Sequence, residues 1–315
     1  MNSTRTGIGL AFIAAMISGV SVWLNGMAVR AFGDPTLYTT AKNLVAAALL
    51  LSATLILTGR GSKNGFTRPR SLGQLIGLGA IGVFGGGVAF VLFFEGLART
   101  SATSAGFIQK TLVIWVAIFA VNILRERFGR AHVAAIALLL SGQFVLSGGI
   151  AMPALNSGEA MIFAATLLWA VEVVLAKRLL AGLTPSTVAC ARMGIGSVVL
   201  IGISIVSGAV TALGSLGPSQ WAWVALTGVI LTAYVTVWFA ALARAKAIDV
   251  TAILVFGAII TGALSSGGVF TPSGALVGLV LIALGTAVVG SAAWRSGSMV
   301  SPSLRSDRLV GKIQM

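Results

Sequence analysis

Ten runs of about twenty mostly apolar residues take up nearly all of this chain, and little remains from which to build anything else. They lie at about 7–26, 35–58, 72–94, 100–123, 131–150, 158–176, 186–207, 220–241, 249–269 and 273–294. As helices, runs of this length cross a hydrocarbon core of roughly 30 Å. Short Gly, Pro and Ser punctuation separates them. A soluble domain of 315 residues is not 57% hydrophobic and 9% charged. The sequence therefore predicts an all-α polytopic membrane protein with ten transmembrane helices and no soluble domain. The first run imitates a signal peptide, but its cleavage site near Val29-Arg30-Ala31 would be poor, and the repeat described below needs it as a span.

The net charge of +14 could point to nucleic acid, but the placement of the charges argues against that. With the N-terminus taken as inside, sixteen Lys and Arg fall in inner loops and tails, and the outer loops hold only Arg30 and Arg99. The positive-inside rule then puts both termini in the cytoplasm and sets a basic face against anionic lipid of the cytoplasmic membrane. Cys190 is the sole cysteine, which excludes an intrachain disulfide and a cysteine metal site. His132, the sole histidine, reads as interfacial. The chain has no G-x-x-x-x-G-K-[ST] phosphate loop and no H-E-x-x-H, so neither ATP, a cofactor nor a metal is expected.

The chain repeats itself. Asp34-Pro35 precedes a span with Lys42 seven residues after the proline, and Thr184-Pro185 precedes another with Arg192 seven residues after its proline. Gly96-Leu97-Ala98-Arg99 ends the third span, and Ala241-Leu242-Ala243-Arg244 ends the eighth. Trp23 and Trp169 fall late in the first and sixth spans. The shared order and near-constant offset predict a five-plus-five duplication. Five is odd, so the second copy lies upside down. Such inverted repeats place a substrate site near the midplane, where the halves meet. The expected division is 1–150 for the first five-helix repeat and 151–294 for the inverted second. A polar cytoplasmic tail, 295–315, is expected to be disordered.

The few charges inside spans are the candidate site. Lys110 lies about two turns into the fourth span, where an ammonium costs at least ~2.5 kcal/mol unless it meets a partner or a wet cavity. It lines a polar pathway or else snorkels to the nearer interface. On helical spacing it shares a face with Gly106, Phe107, Val113 and Ile114. Glu95 either pairs with Arg99 one turn on, or faces Lys110 and Lys42 on adjacent spans and leaves a net positive cavity suited to an anionic substrate group. Glu172 and Arg192, in the inner halves of spans six and seven, are placed to pair as structural glue or as a gate. Asn25 is the polar counterpart of Glu172 in the first span. Trp115 and Trp169 lie deep enough to stack on a substrate or to pack. The glycines crowding the third span, Gly85 to Gly87 among them, read as close packing or as a hinge.

The stretch from Gly96 to Glu126, GLARTSATSAGFIQKTLVIWVAIFAVNILRE, resembles the EamA-type drug/metabolite transporter superfamily. It carries that family's helix end in Ala-Leu, here Leu-Ala, then a run of small residues, Ile108-Gln109 in the fourth helix, and Glu126 at that helix's cytoplasmic end. The second copy of the pattern is ALARAKAIDVTAILVF. The resemblance covers about residues 7–294. It departs at Val113, where the family often has a proline, and near Gly268, where a second Glu is expected. It implies ten helices around a central cavity lined by helices one, three, four, six, eight and nine, with five and ten peripheral. It also implies a secondary transporter that exports or exchanges small metabolites, amino acids among them, by alternating access.

The alternatives are a membrane-embedded enzyme, for which no catalytic constellation is present, and a non-transporting bundle or receptor, which leaves the midspan charges without a role. The expected partners are a small-molecule substrate and lipid, with the oligomeric state open. A cysteine placed at Ser62 and one at Ser157 should react with a membrane-impermeant reagent from opposite sides, and reaction of both from one side contradicts the topology.

Overall fold

The computed structural model describes residues 3–63, 65–100, 102–146, 156–265 and 275–298. Among these it is all-helical. The ten spans are α1 (Ser3–Phe32), α2 (Pro35–Gly59), α3 (Leu72–Arg99), α4 (Ser104–Leu124) and α5 (Arg130–Leu146), then α6 (Ser157–Leu179), α7 (Pro185–Val206), α8 (Pro218–Arg244), α9 (Ala247–Ser265) and α10 (Ala275–Ser298). Nine of them are long and apolar enough to cross a membrane, and α5 is a shorter apolar helix of 17 residues. The segments 147–155, 266–274 and 299–315, with the sites of Gly268 and Pro272 and most of the C-terminal tail, lie outside the described residues.

Turn chemistry sets the helix starts. The Asp34 carboxylate accepts from the Leu37 amide at 2.9 Å and Pro35 opens α2, while the Thr184 hydroxyl caps α7 behind Pro185 in the same way. Asn156 and Glu159 close a capping box at the start of α6. Where lipid offers no hydrogen bonds, these side chains satisfy amides that would otherwise be orphaned.

The main interhelical contacts join one half of the chain to the other: α1 packs on α8 and α9, α3 and α4 on α6, α2 on α7 and α8, α3 on α7, and α5 on α10. Exchanging every helix with the one five places later leaves this set unchanged. The fold is thus two five-helix repeats about a pseudo-two-fold axis, and because five is odd the second copy is inverted. The two copies interleave rather than sit side by side.

Repeat mates α4 and α9 share an irregularity that no proline causes. At Thr111 the α4 ladder tightens to i→i+3, with Ile114 N–H donating to Thr111 O at 2.9 Å and the Thr111 hydroxyl donating to Ile108 O at 2.6 Å. In α9 the same tightening falls at Val255 and Phe256, just before Gly257. A side-chain hydroxyl inserted into the ladder and a small residue are both recognised causes of such breaks.

The glycines of α3 are where the bundle is tightest. From Ile81 to Val88 this helix widens to a π-helix. An added Cβ at Gly86 would lie 2.0 Å from the Arg192 carbonyl oxygen, and one at Gly196 on α7 would lie 2.5 Å from the Gly86 backbone. Here packing is the role, since backbone meets backbone. Gly86→Ala should lower the detergent-solubilised thermal midpoint by an amount equivalent to about 1–3 kcal/mol. Gly79→Ala, whose Cβ would meet nothing within 4 Å, should leave it unchanged or raise it.

Candidate functional site

A cavity of about 440 Å³ lies between the halves. Its walls come from one stripe of each lining helix. On α1 these are Ser18, Ser21, Val22, Asn25, Gly26 and Val29; on α3, Phe90, Phe93, Phe94 and Leu97; on α8, Leu231, Tyr234, Val235 and Trp238. Spacings of three and four put each set on one helix face. Helices α5 and α10 contribute nothing, while α2 and α7 supply one cation each, Lys42 and Arg192. The lining runs out to Arg30 and Thr100, at the end of the molecule opposite its basic loops.

At the basic end the cavity stops above a seal of helix ends. The Glu126 carboxylate, at the end of α4, accepts from the amides of Ala247 at 2.8 Å and Ile248 at 3.2 Å, the exposed donors at the start of α9. The Lys177 ammonium donates to the carbonyls of Leu242 and Ala245, both at 2.6 Å, at the end of α8. Each charge complements the helix terminus it touches. His132 Nε2 lies 2.9 Å from Asp249 Oδ1 and ties α5 to α9. His132 is therefore engaged with a buried carboxylate and not merely interfacial.

The Glu172–Arg192 ion pair lies against the cavity, with both side chains nearly buried. Arg192 Nη2 also donates to Gly85 O at 3.3 Å, and Trp169 Nε1 donates to the same oxygen at 3.1 Å. Gly85 lies in the π-helical stretch, and a Cβ there would collide with Glu172 Oε2 at 2.2 Å. The glycine run therefore does more than let helices approach: it is the seat of the pair.

Lys42 is the counterpart of Arg192, and its environment differs. It is only 2% exposed, and its ammonium donates to Asn25 Oδ1 at 3.1 Å. It also lies over the rings of Phe94, Tyr38 and Phe90 at 4.2, 4.8 and 5.7 Å. Each ring contributes about 0.5–2 kcal/mol, and the amide about 1.5–3 kcal/mol. These contacts offset several kcal/mol of desolvation, yet none of them neutralises the charge. Among the described residues no carboxylate reaches Lys42, because Glu172 holds Arg192 and Glu95 holds Arg99.

The structure thus brings Lys42, Lys110, Asn25, Gln109, Glu172, Arg192 and Trp169 to one cavity and leaves two sequence candidates outside it. Glu95 does not face Lys42 or Lys110. It accepts from Thr36 Oγ1 and from Arg99 Nη1, each at 2.7 Å, because it sits one residue off the Phe90–Phe94–Leu97 stripe. Trp115 packs edge-on against Phe163 and does not line the cavity. Lys110 shares the cavity with Gly106, Gln109 and Val113, whereas Phe107 and Ile114, although within a turn of it on the helix, do not line the cavity, and Phe107 packs edge-on against Phe144 on α5. Tyr38, Tyr234 and the α3 residues Phe90, Phe93 and Phe94 have no signal in the sequence, since a lone aromatic in an apolar span carries no positional information.

Removing one partner of a buried pair strands the other charge at a cost of about 3–5 kcal/mol. Arg192→Met should therefore destabilise the protein by about that amount in thermal unfolding. Adding Glu172→Gln to it should recover most of the loss, as a double-mutant comparison will show.

Comparison with known proteins agrees with this architecture. A curated relative, the uncharacterized transporter YyaM of Bacillus subtilis, is 26% identical over 201 residues, which is 62% of this chain and 64% of that protein's length. A solved crystal structure matches with a TM-score of 0.71 over 90% of this chain and 98% of its own, at 19% identity, a likeness of fold alone. The model of the EamA-like transporter family matches twice, at residues 5–148 and 156–291, once for each five-helix repeat. With two matched repeats, ten spans and a cavity between the halves, this chain belongs to the EamA-like transporter family of multi-pass membrane proteins.

Proposed function

We propose that this transporter moves a small amphipathic or anionic metabolite, amino acids included, across the cytoplasmic membrane by alternating access, as an exporter or exchanger. The observation that carries the reading is a cavity reaching one end of the molecule, sealed at the other, and lined by an excess of positive charge. Of its charged lining residues, Arg30, Lys42, Lys110 and Arg192 are cationic and Glu172 alone is anionic. Aromatic and aliphatic walls beside such charges suit a substrate with an apolar body and an acidic group. The surplus of Lys and Arg at the sealed end supports assigning that end, and both termini, to the cytoplasm. The open end then faces outward. The repeats are assigned to 1–150 and 151–294, in keeping with the two family matches.

Alternating access would proceed by breaking the seal between α8 and α9. That seal consists of side chains on helix termini set among the buried Leu242, Ala245, Ala247 and Ile248, so its parting breaks four charge-assisted hydrogen bonds and uncovers this apolar turn. The inverted copy offers the equivalent helix end at Arg99 for closure at the other end.

The purified protein in liposomes, offered a panel of radiolabelled amino acids and organic acids with and without a pH gradient, should exchange at least one acidic or amphipathic compound. Failure to move any member of a broad panel in counterflow would contradict the reading. Lys110→Met should fold, because it removes a costly charge, and should lower transport of that compound by at least about tenfold. Transport at the wild-type rate would remove Lys110 from the pathway.

A further inference from the structure

The two halves carry the same cation-to-acceptor contact with different charges. In the second half Arg192 on α7 pairs with Glu172 on α6, twenty residues earlier. In the first half Lys42 on α2 bonds to Asn25 on α1, seventeen residues earlier. Glu172 follows Asn25 by 147 positions and Arg192 follows Lys42 by 150, the offsets at which Trp169 answers Trp23 and Pro185 answers Pro35 to within one residue. Asn25 is thus the repeat mate of Glu172, with the carboxylate replaced by an amide. The second-half pair is neutral, whereas its mate sets the Lys42 ammonium against an uncharged amide in a buried, aromatic-walled corner of the cavity.

We propose that this charge-deficient pair is the anion subsite, in which a substrate carboxylate lodges against the Lys42 ammonium and its apolar body lies along Phe90, Phe94 and Trp169. The assignment rests on reading the cavity as the transport site, and it names both the substrate class and the group that selects it. Asn25 suits the role because its polar atoms are already committed. Its Oδ1 accepts from Tyr38 and Lys42, and its Nδ2 donates to Ser21 O at 2.7 Å. The amide therefore fixes the direction of the ammonium without neutralising it. A bound carboxylate completes in the first half the pairing that Glu172 provides in the second. Phe90 touches both cations, with Lys42 at 5.7 Å and Arg192 at 5.1 Å from its ring, so filling one subsite is felt beside the other.

The purified full chain in detergent, titrated with benzoate, benzamide and benzylamine, tests this. Benzoate should raise the thermal midpoint, while the neutral and cationic isosteres should leave it unmoved. Asn25→Asp installs the charge that Glu172 supplies in the other half; it loses the bond to Ser21 O and gains an ion pair with Lys42 and a hydrogen bond from the Ser21 hydroxyl. It should still unfold cooperatively on heating and weaken benzoate binding by at least about tenfold. Lys42→Met should lose the response as well, and Lys42→Arg should retain it. The proposal is overturned if benzamide or sodium chloride stabilises as well as benzoate, if no carboxylate stabilises the wild type, or if Asn25→Asp and Lys42→Met both bind benzoate as tightly as the wild type. Counterflow of only neutral or cationic compounds, unaffected by Asn25→Asp, sinks this subsite while leaving the transporter reading intact. Absence of counterflow for every compound, with benzoate binding preserved and lost in Asn25→Asp, does the reverse.

Discussion

The buried Glu172–Arg192 pair is the contact on which the centre of this bundle depends. Two charges inside a membrane protein are tolerated only where each finds a partner and the remaining donors and acceptors are met. Here α6 supplies the carboxylate, α7 the guanidinium, and α3 the carbonyl of Gly85 that accepts from both Arg192 and Trp169. That carbonyl lies in the stretch where α3 runs as a π-helix, and the pair can approach it because Gly85 and Gly86 carry no side chains. One local departure from α-helical winding thus joins three helices from two halves, and in doing so fixes the floor of the cavity.

The basic end follows similar electrostatics in a different form. The break between α8 and α9 exposes carbonyls on one side and amides on the other, and lipid satisfies neither. Lys177 answers the carbonyls and Glu126 the amides, so two side chains from two other helices close the gap. Close backbone packing completes it: a Cβ at Gly7 on α1 would meet Ala245 at 2.9 Å, within the same turn. A seal built from helix-end charges is strong while formed and leaves solvated groups when it parts, which suits a barrier that must open and close.

Inverted duplication explains why the same devices recur with altered chemistry. The tightened turns of α4 and α9 occupy equivalent places, and both border the cavity. Neither needs proline, since Thr111 and Gly257 provide other ways to disturb the ladder. The cation–acceptor contact also recurs, as Arg192 with Glu172 and Lys42 with Asn25. Once two copies share one cavity, each position is free to specialise, because its mate preserves the architecture. The amide at residue 25, where its repeat mate has a carboxylate, adds to the net positive charge that Arg30 and Lys110 also bring to the cavity.

By itself the sequence determined the span count, the repeat, the distribution of charge between the two ends, and the presence of costly charges within spans. Length, hydropathy and Lys/Arg placement are one-dimensional quantities that a bilayer reads directly. The pairing of Glu172 with Arg192 and the cavity position of Lys110 were also legible, since a buried charge must have a reason. Which face of each helix lines the cavity was not. In these spans every face is apolar, so the periodicity that marks a core-facing stripe in a soluble helix is silent. Glu95 was therefore weighed as a cavity residue when it lies one position off the stripe, and Trp115 was weighed likewise. The aromatic box around Lys42, the π-helical seat of the ion pair and the Glu126 cap on α9 exist only once helices distant in sequence are brought together. Tertiary structure decided these features because each depends on helix rotation, and rotation is set by packing between the two halves.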